Sequence, residues 1–147
     1  MNIINAPGGN IMPYLHNYRI FISHAWRYSD GYERMVRFIN DSTHFRWTNY
    51  SVPENKAFTG LSSAQLGNQL RNQIAPVQCV VILAGMYVAH SGWIQYEIDL
   101  AKQMGKPILG VVPWGAERTP IAVTQAADRM VSWNSAAIVG GIRAITP

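Results

Sequence analysis

At 147 residues the chain has the length of one domain, enough to bury about 70% of the surface its unfolded form exposes. Apolar residues make up 48% of it and charged residues only 14%, little charge for an isolated soluble domain, so self-association into a homo-oligomer is expected. The +4 net charge comes from dispersed cations, with Arg19, Arg27, Arg34, Arg37, Arg46, Lys56 and Arg71 never forming a run that could track a phosphate backbone; this excludes nucleic acid as the expected partner and favours a small anionic ligand.

Residues 1–17 carry Pro7, Gly8, Gly9 and Pro13 without periodicity and read as an N-terminal arm, with the domain proper at 18–147. The N-terminus lacks the charged start and apolar core of a signal peptide. Residues 18–23 form a short β-rich run that ends in Ser23-His24. Asp30 then opens a helix in which Glu33 completes a capping box, and Tyr32, Met35, Val36 and Ile39 supply the buried face. A second strand is expected over 45–50, followed by turn-forming residues 51–60. The next helix starts at Ser62 with Gln65 in the capping box, buries Leu66, Leu70 and Ile74, and is stopped by Pro76.

Residues 77–84 are unbroken hydrophobe, the mark of a central parallel strand covered on both faces. Cys79 lies inside this run and reads as a small buried hydrophobe. As the only cysteine it forms no disulfide, which suits a reducing compartment. No stretch reaches the roughly 18 apolar residues of a membrane span. The expected location is therefore the cytoplasm, without a membrane partner. A helix over 91–104 has Ser91 as its N-cap and ends at Gly105, Lys106 and Pro107. Residues 108–112 make a fourth strand, 113–120 a loop, 129–133 a short edge strand, and 135–145 a last helix weakened by Gly140 and Gly141. Alternating strands and helices with this spacing imply right-handed βαβ units, hence a three-layer α/β fold around a mostly parallel sheet of about five strands. Ligands of such sheets bind beyond the carboxyl ends of the strands, which points to residues 23–28, 51–58 and 85–93.

The residue that stands out is Glu97. Drawn at about 100° per residue, the 91–104 helix gathers Gln95, Asp99, Lys102 and Gln103 on a wet side. Trp93, Ile94, Tyr96, Ile98, Leu100, Ala101 and Met104 spread over the other side, and Glu97 projects from the middle of their arc. An ionised carboxylate facing a dry core costs several kcal/mol unless paired or protonated. Either a cation such as Arg19 or Lys106 pairs with it, or the arc lines a cleft there, which would make Glu97 a candidate active-site acid. The chain has no glycine fingerprint for dinucleotides, no Walker loop, no His-Glu-x-x-His pair and no Cys-x-x-Cys, so dehydrogenase, NTPase and metalloenzyme readings are poor and no metal is expected.

Taken in order, Phe21-Ile22-Ser23-His24, Asn49-Tyr50-Ser51-Val52-Pro53, the apolar third strand, Trp93-Ile94-Gln95-Tyr96-Glu97 and Lys106-Pro107-Ile108 resemble the bacterial TIR-like family that includes the ThsB subunits of Thoeris anti-phage defence. The resemblance runs from about residue 18 to 145 and leaves only the arm outside. It implies a flavodoxin-like fold and cleavage of NAD between nicotinamide and ribose, with NAD as substrate and no further cofactor. It also implies that Glu97 of Trp-x-x-x-Glu is the catalytic residue, that association completes the pocket, and that an ADP-ribose-derived messenger activates a separate effector protein.

One carboxylate suits this chemistry. Glycoside cleavage ordinarily uses two acids, but nicotinamide leaves as a neutral molecule from a cationic pyridinium, so one acid that steadies the ribosyl cation suffices. Ser23 and His24 are candidates to hydrogen-bond phosphate or ribose. Trp26, Tyr28 and Tyr50 are candidates to stack on adenine or nicotinamide, and Arg27 and Lys56 to neutralise the pyrophosphate. Trp93 either packs on a ligand ring or anchors its helix. The competing expectations are a non-catalytic TIR-like module that binds a nucleotide or another TIR domain, and a nucleoside hydrolase or transferase that ignores NAD.

Overall fold

Five strands form among the described residues, the central one apolar throughout and the edge ones mixed, and all of them pair in parallel. The computed structural model describes residues 16–23, 31–51, 63–84, 91–112 and 121–146, without the side chains of Ser63, Leu66, Ser91 and Trp93. The strands are β1 (Asn17–Ile22), β2 (Arg46–Asn49), β3 (Cys79–Leu83), β4 (Ile108–Val112) and β5 (Arg129–Ser132). Between them lie α1 (Gly31–Asn40), α2 (Ser63–Ile74), α3 (Ser91–Gln103) and α4 (Ile121–Ala126), and α5 (Ser135–Ile145) follows β5. The sheet order β2-β1-β3-β4-β5 is the doubly wound flavodoxin-like order. Its direction of winding reverses between β1 and β3. The expected capping residues Asp30 and Ser62 lie outside the described residues, as do residues 1–15 of the arm.

The period of two along β1 divides the core into its two layers. Ile20 and Ile22 face a cluster with Met35 and Ile39 of α1 and Ile138, Val139 and Ile142 of α5. Phe21 faces the other cluster, with Leu70 and Ile74 of α2, Ile94, Ile98 and Leu100 of α3, and Val123 of α4. Every residue of β3 is buried, as the unbroken apolar run predicts. Each such side chain contributes about 2 kcal/mol through burial, so β3 anchors both layers. At the far end of α3, Gly105 adopts φ 69°, Lys106 N–H donates to Ala101 O at 2.8 Å and Gly105 N–H to Lys102 O at 3.2 Å. This is the paired bonding of a Schellman cap, and it requires the left-handed residue that glycine supplies.

The structure adds one element and corrects two expectations. Residues 121–126, unassigned between the loop at 113–120 and the strand at 129–133, form α4; with Val123 as its buried residue and Ile121 71% exposed, the helix is too short for a periodic stripe to reveal it. Thr119-Pro120 in front of it is a cap-and-first-turn pattern that could have marked its start. Tyr96 does not share the buried arc of α3: it is 37% exposed, and its hydroxyl rests on Gly67 of α2, at the place a Cβ would occupy there. Finally, Gly141 does more than weaken α5, because it is buried where that helix closes on β4 and β5, whereas Gly140 faces open space.

Cys79 is fully buried in the first cluster. Burial pushes its thiol well above the ordinary value, the negative charge of Asp128 adds to the rise, and a backbone hydrogen bond to Leu109 opposes it. A thiol so shifted is not a nucleophile at neutral pH. The expected result is that iodoacetamide leaves the native protein unlabelled and modifies Cys79 only after denaturant unfolds it, as intact-mass spectrometry would show.

Candidate functional site

The carboxyl ends of β1 and β3 meet where the winding of the sheet reverses, and in such folds this crevice receives ligands. Ser23 sits there as the first residue past β1. On one side its N–H donates to Val81 O of β3 at 3.0 Å. On the other side β2 has run out. The last register pair is Ile20 with Asn49, and Tyr50 N–H donates to Ile20 O at 2.8 Å. The next backbone partners of β1 are then replaced by one side chain: Ser51 Oγ accepts from Ile22 N–H at 2.7 Å and donates to Ile22 O at 3.1 Å. Ser51 N–H in turn donates to Asn49 Oδ1 at 2.9 Å, and Asn49 Nδ2 donates to Tyr32 Oη at 2.7 Å. A line of hydrogen bonds thus ties the start of α1 to the end of β1.

Alternation along β1 turns Ser23 toward the same layer as Phe21, where α3 runs down from the rim of the sheet. Glu97 lies on the second turn of that helix, fully buried between Ile94 and Ile98, and Ser23 Oγ donates to Glu97 Oε1 at 2.5 Å. Among the described residues the fully or almost fully buried polar side chains are Ser23, Ser51 and Glu97, and all three lie at this rim. A hydrogen bond to a charged acceptor contributes roughly 1.5–3 kcal/mol and offsets part of the several kcal/mol that burying a carboxylate costs.

The cations considered as partners for Glu97 are at the opposite edge of the sheet. Arg19 Nε donates to Pro76 O at 2.6 Å and Lys106 Nζ to Ala75 O at 2.8 Å, where they cap the end of α2. Nor does Glu97 stand open to a cleft, as the sequence suggested, since no part of it is exposed. The Ser23 hydroxyl is one partner that the Glu97 carboxylate has in the interior.

Of the expected site residues, the fold brings Ser23 and Glu97 together and makes Ser23 a holder of the carboxylate. Tyr50 is not an exposed loop aromatic: it is half-buried and packs against the core between the sheet and α2 and α3. The backbone of Trp93 is in the first turn of α3, one turn before Glu97, and its side chain lies outside the described residues, as do His24, Trp26, Arg27, Tyr28 and Lys56. Asn49 and Ser51, which the resemblance includes without a role, belong to the same hydrogen-bonded line. Their signal was a pair of short polar side chains at the end of a strand, where such groups bond to neighbouring backbone. Among the described residues no three His, Cys, Asp or Glu side chains are placed to hold a metal ion, and no helix is long and apolar enough to cross a membrane.

The architecture is similar to that of a conserved protein from Enterococcus faecalis V583, whose crystal structure aligns with a TM-score of 0.61 at 11% identity, over 88% of this chain and 99% of that one. It is also similar to the CMP N-glycosidase BcmB of Clostridium botulinum, with a TM-score of 0.55 at 15% identity over 86% of this chain and 98% of that one. At these identities the likeness is one of fold. No curated protein matches the sequence. The model of the family described as Thoeris protein ThsB, TIR-like domain, matches residues 21–118, a span that holds Ser23, Asn49, Ser51 and Glu97, and by that match the chain belongs to the ThsB TIR-like family.

Proposed function

We propose that this protein cleaves the bond between nicotinamide and ribose in NAD and yields an ADP-ribose-derived product, cyclic or linear, that signals to a separate effector in antiviral defence. The observation that carries this reading is the buried Ser23–Glu97 pair at the point where the sheet reverses its winding. Membership in the ThsB family supports it, and so does the fold shared with the CMP N-glycosidase BcmB, because both chemistries develop positive charge on a ribose.

In the proposed mechanism the C1′–N bond breaks with its electron pair going to the pyridinium, and nicotinamide departs neutral. Glu97 stabilises the ribosyl cation and accepts hydrogen bonds from ribose hydroxyls. If water attacks, ADP-ribose and a proton result; if a group of the same nucleotide attacks, the product is cyclic. Ser23 holds the carboxylate in one orientation. His24, Trp26, Tyr50 and Trp93 are the proposed ligand contacts. Since Glu97 is covered in the free chain, substrate has to reach it by displacing what covers it, and assembly into a homo-oligomer is the proposed route to that state.

The complete burial of Glu97 also favours a second reading, a TIR-like binding module in which the acid only holds α3 to β1. The test is chromatography of the products from NAD and, separately, CMP, over a range of protein concentrations. Nicotinamide release by the wild type supports the proposal. Cytosine release from CMP alone would make the protein a nucleotide N-glycosidase, and no release from either substrate at any concentration would leave the binding module.

A further inference from the structure

We infer that Ser51 is a positioning residue for Glu97, an inference that rests on the proposed activity for its kinetic consequence and not for its structural one. A parallel strand at this point of the sheet normally takes backbone partners from both neighbours. Here β3 supplies them on one side, through Val81 O, but β2 stops at Asn49 and Ser51 Oγ alone meets both the N–H and the C=O of Ile22. Ile22 is the residue directly before Ser23, so the side chain of Ser51 sets where the Ser23 hydroxyl meets Glu97 Oε1. Asn49 Oδ1 holds the Ser51 N–H in turn, which fixes the turn from which Ser51 reaches back. One hydroxyl can serve both groups because it donates and accepts from the same atom.

The consequence is a rate effect transmitted through Ser23. Misplacing a reacting group by about 1 Å can cost on the order of 10²-fold, and the slack left by one missing clasp is a fraction of that. Ser51→Ala is expected to lower kcat on NAD about tenfold with KM unchanged, the pattern of a lost transition-state interaction. Ser51→Thr and Ser51→Val make a shape-matched pair. Thr keeps the hydroxyl and restores kcat toward wild type, and Val does not. Asn49→Ala, at an exposed residue, is expected to give a smaller loss in the same direction and to remain folded should Ser51→Ala not be.

A second readout needs no activity. In protein carrying 13C-labelled glutamate, the side-chain carboxyl resonance of Glu97 is expected to move in Ser51→Ala and Asn49→Ala in the direction seen in Ser23→Ala, with Ser51→Thr returning it. A Glu97 resonance unmoved by Ser51→Ala or Asn49→Ala, while Ser23→Ala moves it, overturns the inference, as does a wild-type kcat in Ser51→Val. Absence of nicotinamide release from the wild type overturns the activity, and the carboxyl resonance then decides the role of Ser51 by itself.

Discussion

Replacing Glu97 by Gln is expected to reduce nicotinamide release from NAD by at least about 10²-fold without unfolding the protein. Glutamine matches glutamate in shape, and its amide oxygen still accepts the hydrogen bond from Ser23 Oγ, so the geometry of α3 against β1 is kept. What is lost is the negative charge, and only the charge stabilises a ribosyl cation. With the shape and the Ser23 hydrogen bond kept, the melting temperature should stay within a few degrees of the wild-type value. Initial rates of nicotinamide release measured beside thermal unfolding separate the two effects. An undiminished rate in a folded Glu97→Gln protein would remove Glu97 from the chemistry, and a large fall in melting temperature would show instead that the charge is held by a partner that stabilises the fold.

The second large effect is one of packing, and it has opposite signs at adjacent glycines. A Cβ placed on Gly141 would lie 2.7 Å from Leu109 Cδ1 and 2.8 Å from Val131 Cγ1, well inside contact distance with two side chains of the sheet. Gly140→Ala meets nothing within 4 Å. In a helix interior alanine is favoured over glycine by about 1 kcal/mol, so Gly140→Ala should stabilise by up to that amount. At Gly141 the same gain is exceeded by an overpacking cost of about 1–3 kcal/mol, which leaves a net loss of about 1 kcal/mol and a fall in melting temperature of roughly 4 °C. Gly141→Val, with two more methyl groups in the same space, is expected to lose several times as much. Thermal unfolding of the three variants checks the order Gly140→Ala, wild type, Gly141→Ala, Gly141→Val, from most to least stable.

Most of the strands and helices were legible because their hydrophobic periods differ. The unbroken apolar run that became β3 cannot sit in an exposed position, and Met35 and Ile39 repeat at helical spacing and do line one face of α1. The short α4 was not legible, because six residues with one buried side chain show no period. Glu97 was legible as an anomaly, since a carboxylate on an apolar arc costs energy in any fold. Its partner was not. Ser23 lies 74 residues away, and the two meet only because the sheet order sets β1 beside β3 with α3 across both.

Charge shows the same division. The cations never cluster along the chain, yet the parallel topology sends all strand starts and helix ends to one edge. Arg46 and Arg129 begin strands there, Lys106 enters β4, and Arg37, Arg71, Lys102 and Arg143 occupy last helical turns, beside carbonyl ends whose partial negative charge they complement. By itself, then, the sequence determined the strands and the helices other than α4, and which acid was out of place, because burial and periodicity act on neighbours along the chain. Only the tertiary structure decided that Ser23 holds that acid, that Ser51 clasps the neighbouring Ile22, and that Arg19 and Lys106 bond the end of α2 instead, because hydrogen bonds form between atoms that folding brings within about 3 Å, whatever their separation in sequence.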